Sequence, residues 1–249
     1  MIRPATPLAQ HLPALPRANQ VHLHLLPLDC TDQELESLKD VITPAELARS
    51  ERLLDPPKRR QAIVSRGLLR QLLGSYLGEA PGRVLLSEGE FGKLHLSEHL
   101  EPDALCFNLS HAGSYLLIAT AAGCEVGVDL EEIREDLEYR PMAERYFAPA
   151  EQQQLFALDP AGQRSAFYRC WTRKEAYLKG TGAGFSQPAN LFQVSLAPDA
   201  PAALIAHQGY PEAPRHWSLR DVPAPAGYCA AVAVQVERPE LKLFGFQPV

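Results

Sequence analysis

Residues 106–133 read CFNLSHAGSYLLIATAAGCEVGVDLEEI, and this stretch carries most of the fold prediction. Three apolar runs, at residues 106–110, 115–120 and 126–133, are separated by polar residues and glycines, which is typical of successive β-strands. The short polar segment between the first two runs predicts a strand, a tight turn and a returning strand. Gly123 is the expected joint between two parts of the molecule.

Helices are predicted on both sides of these strands. Thr43-Pro44-Ala45-Glu46 combines a threonine cap, a proline and a following glutamate, which predicts a helix running to about Leu54. A second helix begins near Pro57, and its basic residues favour a solvated face: Lys58, Arg59, Arg60, Arg66 and Arg70. Further helices are predicted over residues 142–146, 148–158 and 163–179, and short strands over residues 192–194, 216–219 and 228–236. The fold class is therefore α/β in the broad sense, or α+β.

An alternating strand is predicted over residues 21–28, before these helices. It places His22 and His24 on one face. Two histidines at this spacing can bind a metal, but without a third ligand nearby the pattern favours a half-exposed strand face.

The composition limits the possible functions. The chain has 249 residues, a net charge of −6, 46% hydrophobic and 22% charged residues, which is ordinary for a globular protein. An acidic chain of this kind is not expected to bind nucleic acid or anionic membranes, so a polyanionic ligand must be held by a local basic cluster. The apolar runs are too short to span a bilayer, and no signal sequence is recognisable. Five scattered cysteines fit reduced thiols, which predicts a cytoplasmic protein.

Asp129 and Glu131 lie on the strand predicted over residues 126–133. Strand alternation places both carboxylates on one face, opposite Val128 and Leu130. Two such charges ~7 Å apart repel by roughly 2 kcal/mol at an effective dielectric constant of 20. This pattern indicates either a site for a hard cation such as Mg²⁺ or a solvent-exposed acidic edge.

Trp171, Glu175 and Lys179 recur every four residues late in a predicted helix and therefore share one side of it. This pattern indicates either a charged site above an aromatic floor or an ordinary surface ion pair. Ser110 and His111 precede a glycine-bearing turn, which could hold a phosphate group. A nucleophile–base pair is disfavoured there because neighbouring strand residues point to opposite faces.

Four segments, taken in order, resemble the signature motifs of the 4′-phosphopantetheinyl transferase superfamily. They are FGKLHL, FNLSHAG, VGVDLEEI and WTRKEAYLKGTGAGF, and the resemblance extends from about Thr43 to Phe185. The chain length resembles the larger, monomeric surfactin-synthetase-activator (Sfp) type. Leu94 replaces the usual proline after Lys93, and Ala112 replaces the second serine of the family's Ser-His-Ser.

The resemblance implies an architecture of two similar α/β halves related by a pseudo-twofold axis, with the active site in the cleft between them. It divides the chain into a proline-rich leader at residues 1–20, an N-terminal half at 21–124 and a C-terminal half at 125–249. No repeat is visible in the residues themselves.

The implied reaction moves the phosphopantetheine arm of coenzyme A to a serine of an apo acyl or peptidyl carrier protein, with release of 3′,5′-ADP. Mg²⁺, or alternatively Mn²⁺, would be bound by Asp129, Glu131 and Glu175, and Glu175 would also be the base. By the same resemblance, Ser110, His111 and Lys179 would contact the diphosphate. The 3′-phosphate and adenine end would meet the remaining basic residues, Arg49, Arg66 and Lys93.

Two alternatives remain open at this point. A magnesium-dependent phosphohydrolase or nucleotidyl-transfer enzyme could use the same carboxylates, although no Walker-type glycine loop is present. An inactive module that binds coenzyme A or a carrier protein is the non-enzymatic alternative.

Overall fold

A computed structural model describes residues 14–97, 105–182, 184 and 187–246 of the chain. Most of the predicted leader and part of the last motif, including Phe185, lie outside these residues. The strands are β1 Gln20–Pro27, β2 Leu86–Glu88, β3 Leu94–Leu96, β4 Leu105–Ala112, β5 Tyr115–Ala122, β6 Val126–Glu132, β7 Phe192–Val194, β8 Leu204–His207, β9 Ser218–Asp221, β10 Tyr228–Val234 and β11 Glu240–Phe244. The helices are α1 Asp32–Lys39, α2 Pro44–Glu51, α3 Pro56–Leu77, α4 Tyr139–Tyr146, α5 Pro149–Ala157, α6 Pro160–Thr181 and α7 Ala213–His216.

The strands form two principal sheets. The first has the order β11-β1-β5-β4, in which β11 runs parallel to β1 and the other neighbours are antiparallel. The second, antiparallel throughout, has the order β6-β10-β9. The three strands predicted within residues 106–133 are confirmed, with β4 and β5 joined as the predicted hairpin.

These sheets lie face to face between two long helices. Apolar residues of β1, β5, β6 and β10, among them Leu23, Leu117, Val128 and Val232, form the core between the sheets. The helix α3 covers the outer face of the first sheet, and α6 covers the outer face of the second. The predicted mixed α/β class is confirmed, whereas the pseudo-twofold axis remains a prediction.

The half-exposed face predicted for His22 and His24 is wrong. Each residue is only 1% exposed, and His22 Nδ1 and His24 Nε2 each lie 2.8 Å from the Tyr76 hydroxyl of α3. Phe244 of β11 stacks on the His24 ring. Burial lowers the pKa of His22 to about 4 and that of His24 to about 3, so both rings are neutral at neutral pH.

The solvated face predicted for the basic residues of α3 is confirmed only in part. Lys58 is exposed, but Arg70 is buried at 2% exposure. Its guanidinium donates to Glu46 and to the carbonyl oxygens of Pro81 and Val84, which offset the cost of removing the charge from water.

The elements α1, β8 and β11 were not predicted from the sequence. Because β11 pairs with β1, the sheet of the N-terminal half includes a strand from beyond residue 125. The division of the chain between residues 124 and 125 remains a prediction. The pairing of β1 with β11 joins strands from the two sides of that boundary. Within the described ranges, no helix is both long and apolar enough to cross a membrane.

Candidate active site

The two sheets meet along the edge strands β4 and β6. The Asn108 side chain of β4 accepts a hydrogen bond from the Val128 backbone N–H of β6, at 3.0 Å. Two residues further on, the Ser110 hydroxyl donates to Asp129 Oδ1, also at 3.0 Å. Side chains therefore bridge the two edges, and strand alternation brings the NLSH and VDLE motifs together.

Gly127 allows α6 to lie directly against β6. A Cβ atom at this position would be 2.1 Å from the Gly180 nitrogen and 2.2 Å from the Ala176 carbonyl oxygen, so any side chain would push the helix away. The close approach aims one side of α6 at the outer face of β6. Trp171, Glu175 and Lys179 line the same cleft, as their four-residue spacing predicted.

Asp129 lies at the base of this cleft with 2% exposure. Its Oδ1 atom accepts from Lys179 Nζ at 2.6 Å as well as from Ser110, and Lys179 Nζ is 2.9 Å from the Ser110 hydroxyl oxygen. Its Oδ2 atom is buried and has no hydrogen-bond partner. A buried carboxylate oxygen without a donor is costly, so this atom is suited to a cation.

Glu131 and Glu175 are the other two carboxylates of the cleft. The Trp171 indole N–H donates to Glu131 Oε1 at 3.1 Å. Burial, followed by the charge of Asp129, raises the pKa of Glu131 to about 7. The same two causes raise the pKa of Glu175. Such mutual repulsion among clustered carboxylates is relieved when a cation enters.

The convergence of Asp129, Glu131 and Glu175 on one ion stays a prediction. The three side chains share the cleft, yet among the described residues no three His, Cys, Asp or Glu side chains form a ready-made metal site. The Lys179 ammonium lies against Asp129 instead. The orphaned Asp129 oxygen and the oxygen-only donor set fit a hard divalent cation, but the ligand assignment remains a proposal.

Arginines form the opposite wall of the cleft. Arg66 of α3 has its Nε atom 3.5 Å from Glu46 Oε1, while its NH1 group is buried and has no hydrogen-bond partner. Arg49 of α2 is paired with Glu88, which also lines the cleft. This wall therefore carries positive charge that neighbouring carboxylates only partly neutralise.

Two further predicted residues lie between these walls. The Lys93 ammonium is nearly buried and donates to Glu125, to the Val126 carbonyl at 3.2 Å and to the Gly180 carbonyl at 2.7 Å. It therefore ties the β3 segment to β6 and α6. His111 also lines the cleft, and its burial, followed by the nearby Lys179 charge, lowers its pKa.

The cleft has a volume of about 650 Å³. All nine predicted site residues line it: Arg49, Arg66, Lys93, Ser110, His111, Asp129, Glu131, Glu175 and Lys179. Sequence reasoning missed Glu88, Phe91 and Asn108. Asn108 could have been found from its alternation with Ser110 on β4, whereas nothing in the sequence around Glu88 indicates its pairing with Arg49.

Comparison with known proteins gives two family matches along the chain. Residues 125–233 match the family described as the 4′-phosphopantetheinyl transferase superfamily, and residues 29–123 match the family described as 4′-phosphopantetheinyl transferase, N-terminal. A Nostoc protein named 4′-phosphopantetheinyl transferase HetI is 36% identical over 231 residues, covering 93% of this chain and 91% of its own.

More distant likenesses are consistent with this. The Bacillus subtilis 4′-phosphopantetheinyl transferase Sfp is 27% identical, over 70% of this chain and 75% of its own. The holo-[acyl-carrier-protein] synthase of Thermotoga maritima shares 19% identity, with a TM-score of 0.36 over 46% of this chain and 64% of that one, too little to add to the argument. On the sequence matches alone, this chain belongs to the 4′-phosphopantetheinyl transferase superfamily.

Proposed function

We propose that this transferase moves the phosphopantetheine arm of coenzyme A to a serine hydroxyl of an acyl or peptidyl carrier protein, in a reaction that depends on Mg²⁺. The supporting observation is the composition of a single cleft, with three carboxylates and Lys179 on one side and arginines on the other. Coenzyme A carries a diphosphate and a separate 3′-phosphate, and an acidic protein must hold both with local charges.

Asp129, Glu131 and Glu175 are the proposed metal ligands, and Mn²⁺ is an alternative to Mg²⁺. The cation would neutralise charge on the diphosphate and on the departing 3′,5′-ADP. Asp129 contributes the buried oxygen that lacks a partner. Glu131, held by the Trp171 indole, contributes a second oriented carboxylate.

The other residues would bind and orient the two substrates. Lys179, Ser110 and His111 would contact the diphosphate, and Arg66 with Arg49 would contact the 3′-phosphate. Lys93 remains in the proposed set, but it can reach a phosphate only by releasing one of its three acceptors.

Glu175 is the proposed base, directly or through a water molecule. Its raised pKa makes it a better proton acceptor than an ordinary glutamate. The carrier serine oxygen forms a bond to the phosphorus nearer the pantetheine, the bond from that phosphorus to 3′,5′-ADP breaks, and the serine proton passes to Glu175. No covalent enzyme intermediate is needed, because positioning and charge stabilisation lower the barrier.

The test incubates the protein with apo carrier protein, coenzyme A and Mg²⁺ and follows the mass of the carrier. A transferase adds the phosphopantetheine mass, a phosphohydrolase degrades the coenzyme without modifying the carrier, and a binding module does neither. A panel of acyl and peptidyl carriers in the same assay identifies the carrier class.

Substitution of the proposed ligands sharpens this test. We expect Asp129→Asn and Glu175→Gln each to lower turnover by at least about 100-fold while the fold persists, since several kcal/mol of charge stabilisation is lost. Glu132→Gln is the matched control, because Glu132 is the exposed neighbour of Glu131 on β6. Near-normal turnover in either cleft variant would remove that residue from the proposal.

Two features outside the cleft complete the proposal. All five cysteines are unpaired, which supports a cytoplasmic location. We also propose that the protein acts as a monomer, because both walls of the cleft come from one chain.

A further inference from the structure

The helices α1 and α2 begin with the same capping arrangement. In each, the hydroxyl of a threonine cap accepts from the backbone N–H of a glutamate three residues later, and that glutamate accepts from the threonine N–H. The two boxes match closely: the threonine N–H is 2.7 Å from Glu34 Oε2 in α1 and 2.8 Å from Glu46 Oε2 in α2. As helix caps, Glu34 and Glu46 are equivalent.

Glu46 has a second set of contacts that Glu34 lacks among the described residues. Its two oxygens accept from Arg70 Nε at 2.8 Å and Arg70 NH2 at 3.1 Å, and its Oε1 atom lies 3.5 Å from Arg66 Nε. Burial works against the charge of Glu46, but hydrogen bonds from Arg70 and Thr43 outweigh it and lower its pKa. Glu46 is thus a charged carboxylate held between two arginines of α3.

Arg70 is fixed in turn by backbone acceptors. Its NH1 group donates to the carbonyl oxygens of Val84, at 2.8 Å, and Pro81, at 3.2 Å. The Glu46 carboxylate is held by the Thr43 cap and by the buried Arg70, so its orientation is fixed. A group that contacts the fixed carboxylate is therefore fixed as well.

Arg66 is that group. Its Nε atom lies 3.5 Å from Glu46 Oε1, its NH1 group is buried without a hydrogen-bond partner, and Arg66 is one of the residues that line the cleft. A guanidinium donates through a rigid planar fork, so holding one edge determines where the other edge points. A phosphate group of a ligand in the cleft can supply the acceptor that the NH1 group lacks.

We propose that Glu46 is a positioning residue for substrate binding: it holds the Arg66 guanidinium so that its free edge receives a phosphate group of coenzyme A. This role rests on the proposed function. From the local sequence alone, Glu46 is explained as a helix-capping residue. In the proposed role it also acts on the substrate through Arg66, without contacting the reacting atoms.

The experiment compares Glu46→Gln with Glu34→Gln, because both remove a capping carboxylate and only the first removes a contact to Arg66. Carrier modification is measured at varied coenzyme A concentrations. We expect Glu46→Gln to raise KM for coenzyme A about 10-fold, the effect of losing one charged hydrogen bond, with kcat within about 2-fold of the parent. Glu34→Gln should leave both constants unchanged.

Two further arms isolate the mechanism. In an Arg66→Ala background, Glu46→Gln should have no additional effect on KM, because the group that it positions is gone. Dephospho-coenzyme A, which lacks the 3′-phosphate, identifies the phosphate concerned. If the KM difference between parent and Glu46→Gln vanishes with this substrate, Arg66 binds the 3′-phosphate; if it persists, Arg66 binds the diphosphate.

Several outcomes would overturn the proposal: an unchanged KM in Glu46→Gln, an equal rise in Glu34→Gln, or effects of Glu46→Gln and Arg66→Ala that simply add. Should Glu46→Gln fail to fold, Glu46→Asp replaces it, because this variant keeps the charge on a side chain that is one methylene shorter and should also raise KM. A parental KM in Glu46→Asp would count against the proposal. Calorimetric binding of 3′,5′-ADP needs no turnover. A parent protein that binds this ligand but transfers nothing would refute the proposed function and leave the positioning role testable.

Discussion

The pair α2–α3 and the pair α5–α6 are built alike and used differently. Each pair opens with a Pro-Ala-Glu segment in the first turn of a short helix, at residues 44–46 and 149–151. Each continues into a helix of 22 residues that ends at a glycine with positive φ, Gly78 at 68° and Gly182 at 69°. Glycine adopts this conformation without strain, so the glycine in the sequence determines where each helix ends.

The two segments also share an anchor. In the first, Glu46 accepts from the backbone N–H of the residue before the proline and binds a buried cation of the long helix, Arg70. In the second, Glu151 does the same with the Ala148 N–H and with Lys174. Both glutamates therefore lock a short helix to the long helix that follows it.

The difference lies in what remains free. Glu151 has no exposed surface, and its oxygens accept from Lys174, Ala148 and Val194. Glu46 is partly exposed and shares its charge with a second cation, Arg66. We call the fully buried pair of Glu151 and Lys174 closed and the partly exposed pair of Glu46 and Arg70 open. The closed pair holds α6 in register and so places Glu175 in the cleft. The open pair can in addition present a second cation, Arg66, to a ligand.

We expect the largest effect on stability when the buried ion pair between Glu151 and Lys174 is broken. Lys174→Met should lower the free energy of unfolding by about 3–5 kcal/mol, because it leaves Glu151 charged and buried without its cation. Denaturant unfolding measures the change. Lys58→Met on α3 is the control, since that lysine is exposed, and an equally stable Lys174→Met protein would contradict the account.

A second prediction concerns the His22–Tyr76–His24 cluster, which lies under α3. Unfolded, both rings bind protons near pH 6.5, whereas folded they do so only near pH 4 and 3. Protons therefore favour the unfolded state, and the free energy of unfolding should fall as the pH drops below about 6.5. By pH 4 the loss should be on the order of 3 kcal/mol for each of the two rings.

Unfolding measured from pH 7 to pH 4 tests this, with His24→Phe as the variant. That substitution should flatten the pH dependence relative to the parent, because one of the two shifted groups is gone. Replacement of the exposed His95 by Asn should leave the slope as it is in the parent. A parental slope in His24→Phe would show that carboxylates govern the acid response.

The smallest effect should come from the open pair. Arg70→Met should lower the free energy of unfolding by about 1–3 kcal/mol, less than Lys174→Met. The Glu46 carboxylate would still accept hydrogen bonds from Thr43, contact Arg66 and be partly hydrated. The same denaturant experiment ranks the two variants. If Arg70→Met proved the more damaging, the distinction between an open and a closed pair would be wrong.

Local signals predicted the parts of the fold that local interactions determine. The Thr43 box gave the start of α2, and the alternation of Val128 with Asp129 gave the two faces of β6. The four-residue spacing of Trp171, Glu175 and Lys179 likewise predicted that they share one side of α6, and all three line the cleft. The buried state of Arg70 and His24 could not be predicted, because it depends on partners far along the chain.

Two features of the sequence could not be resolved locally, for the same reason. The Pro-Ala-Glu segments were too short to reveal a repeat, and their likeness became visible only through their ion-pair partners, which are 24 and 23 residues away. The ammonium of Lys93 was predicted to bind a ligand, yet its neighbours Glu125 and Gly180 come from other elements. A residue type and spacing indicate what a side chain can do, and only tertiary packing decides what is already bound to it.

The pairing of β11 with β1 has a consequence for biosynthesis. The two strands are joined in parallel, and Gln20 donates to Glu240 across a separation of 220 residues. On the ribosome, β1 must wait until almost the whole described chain has been translated before its outer edge is covered. An unpaired edge invites association with other nascent chains. Production of this protein should therefore depend strongly on translation speed and on chaperones that bind exposed strands.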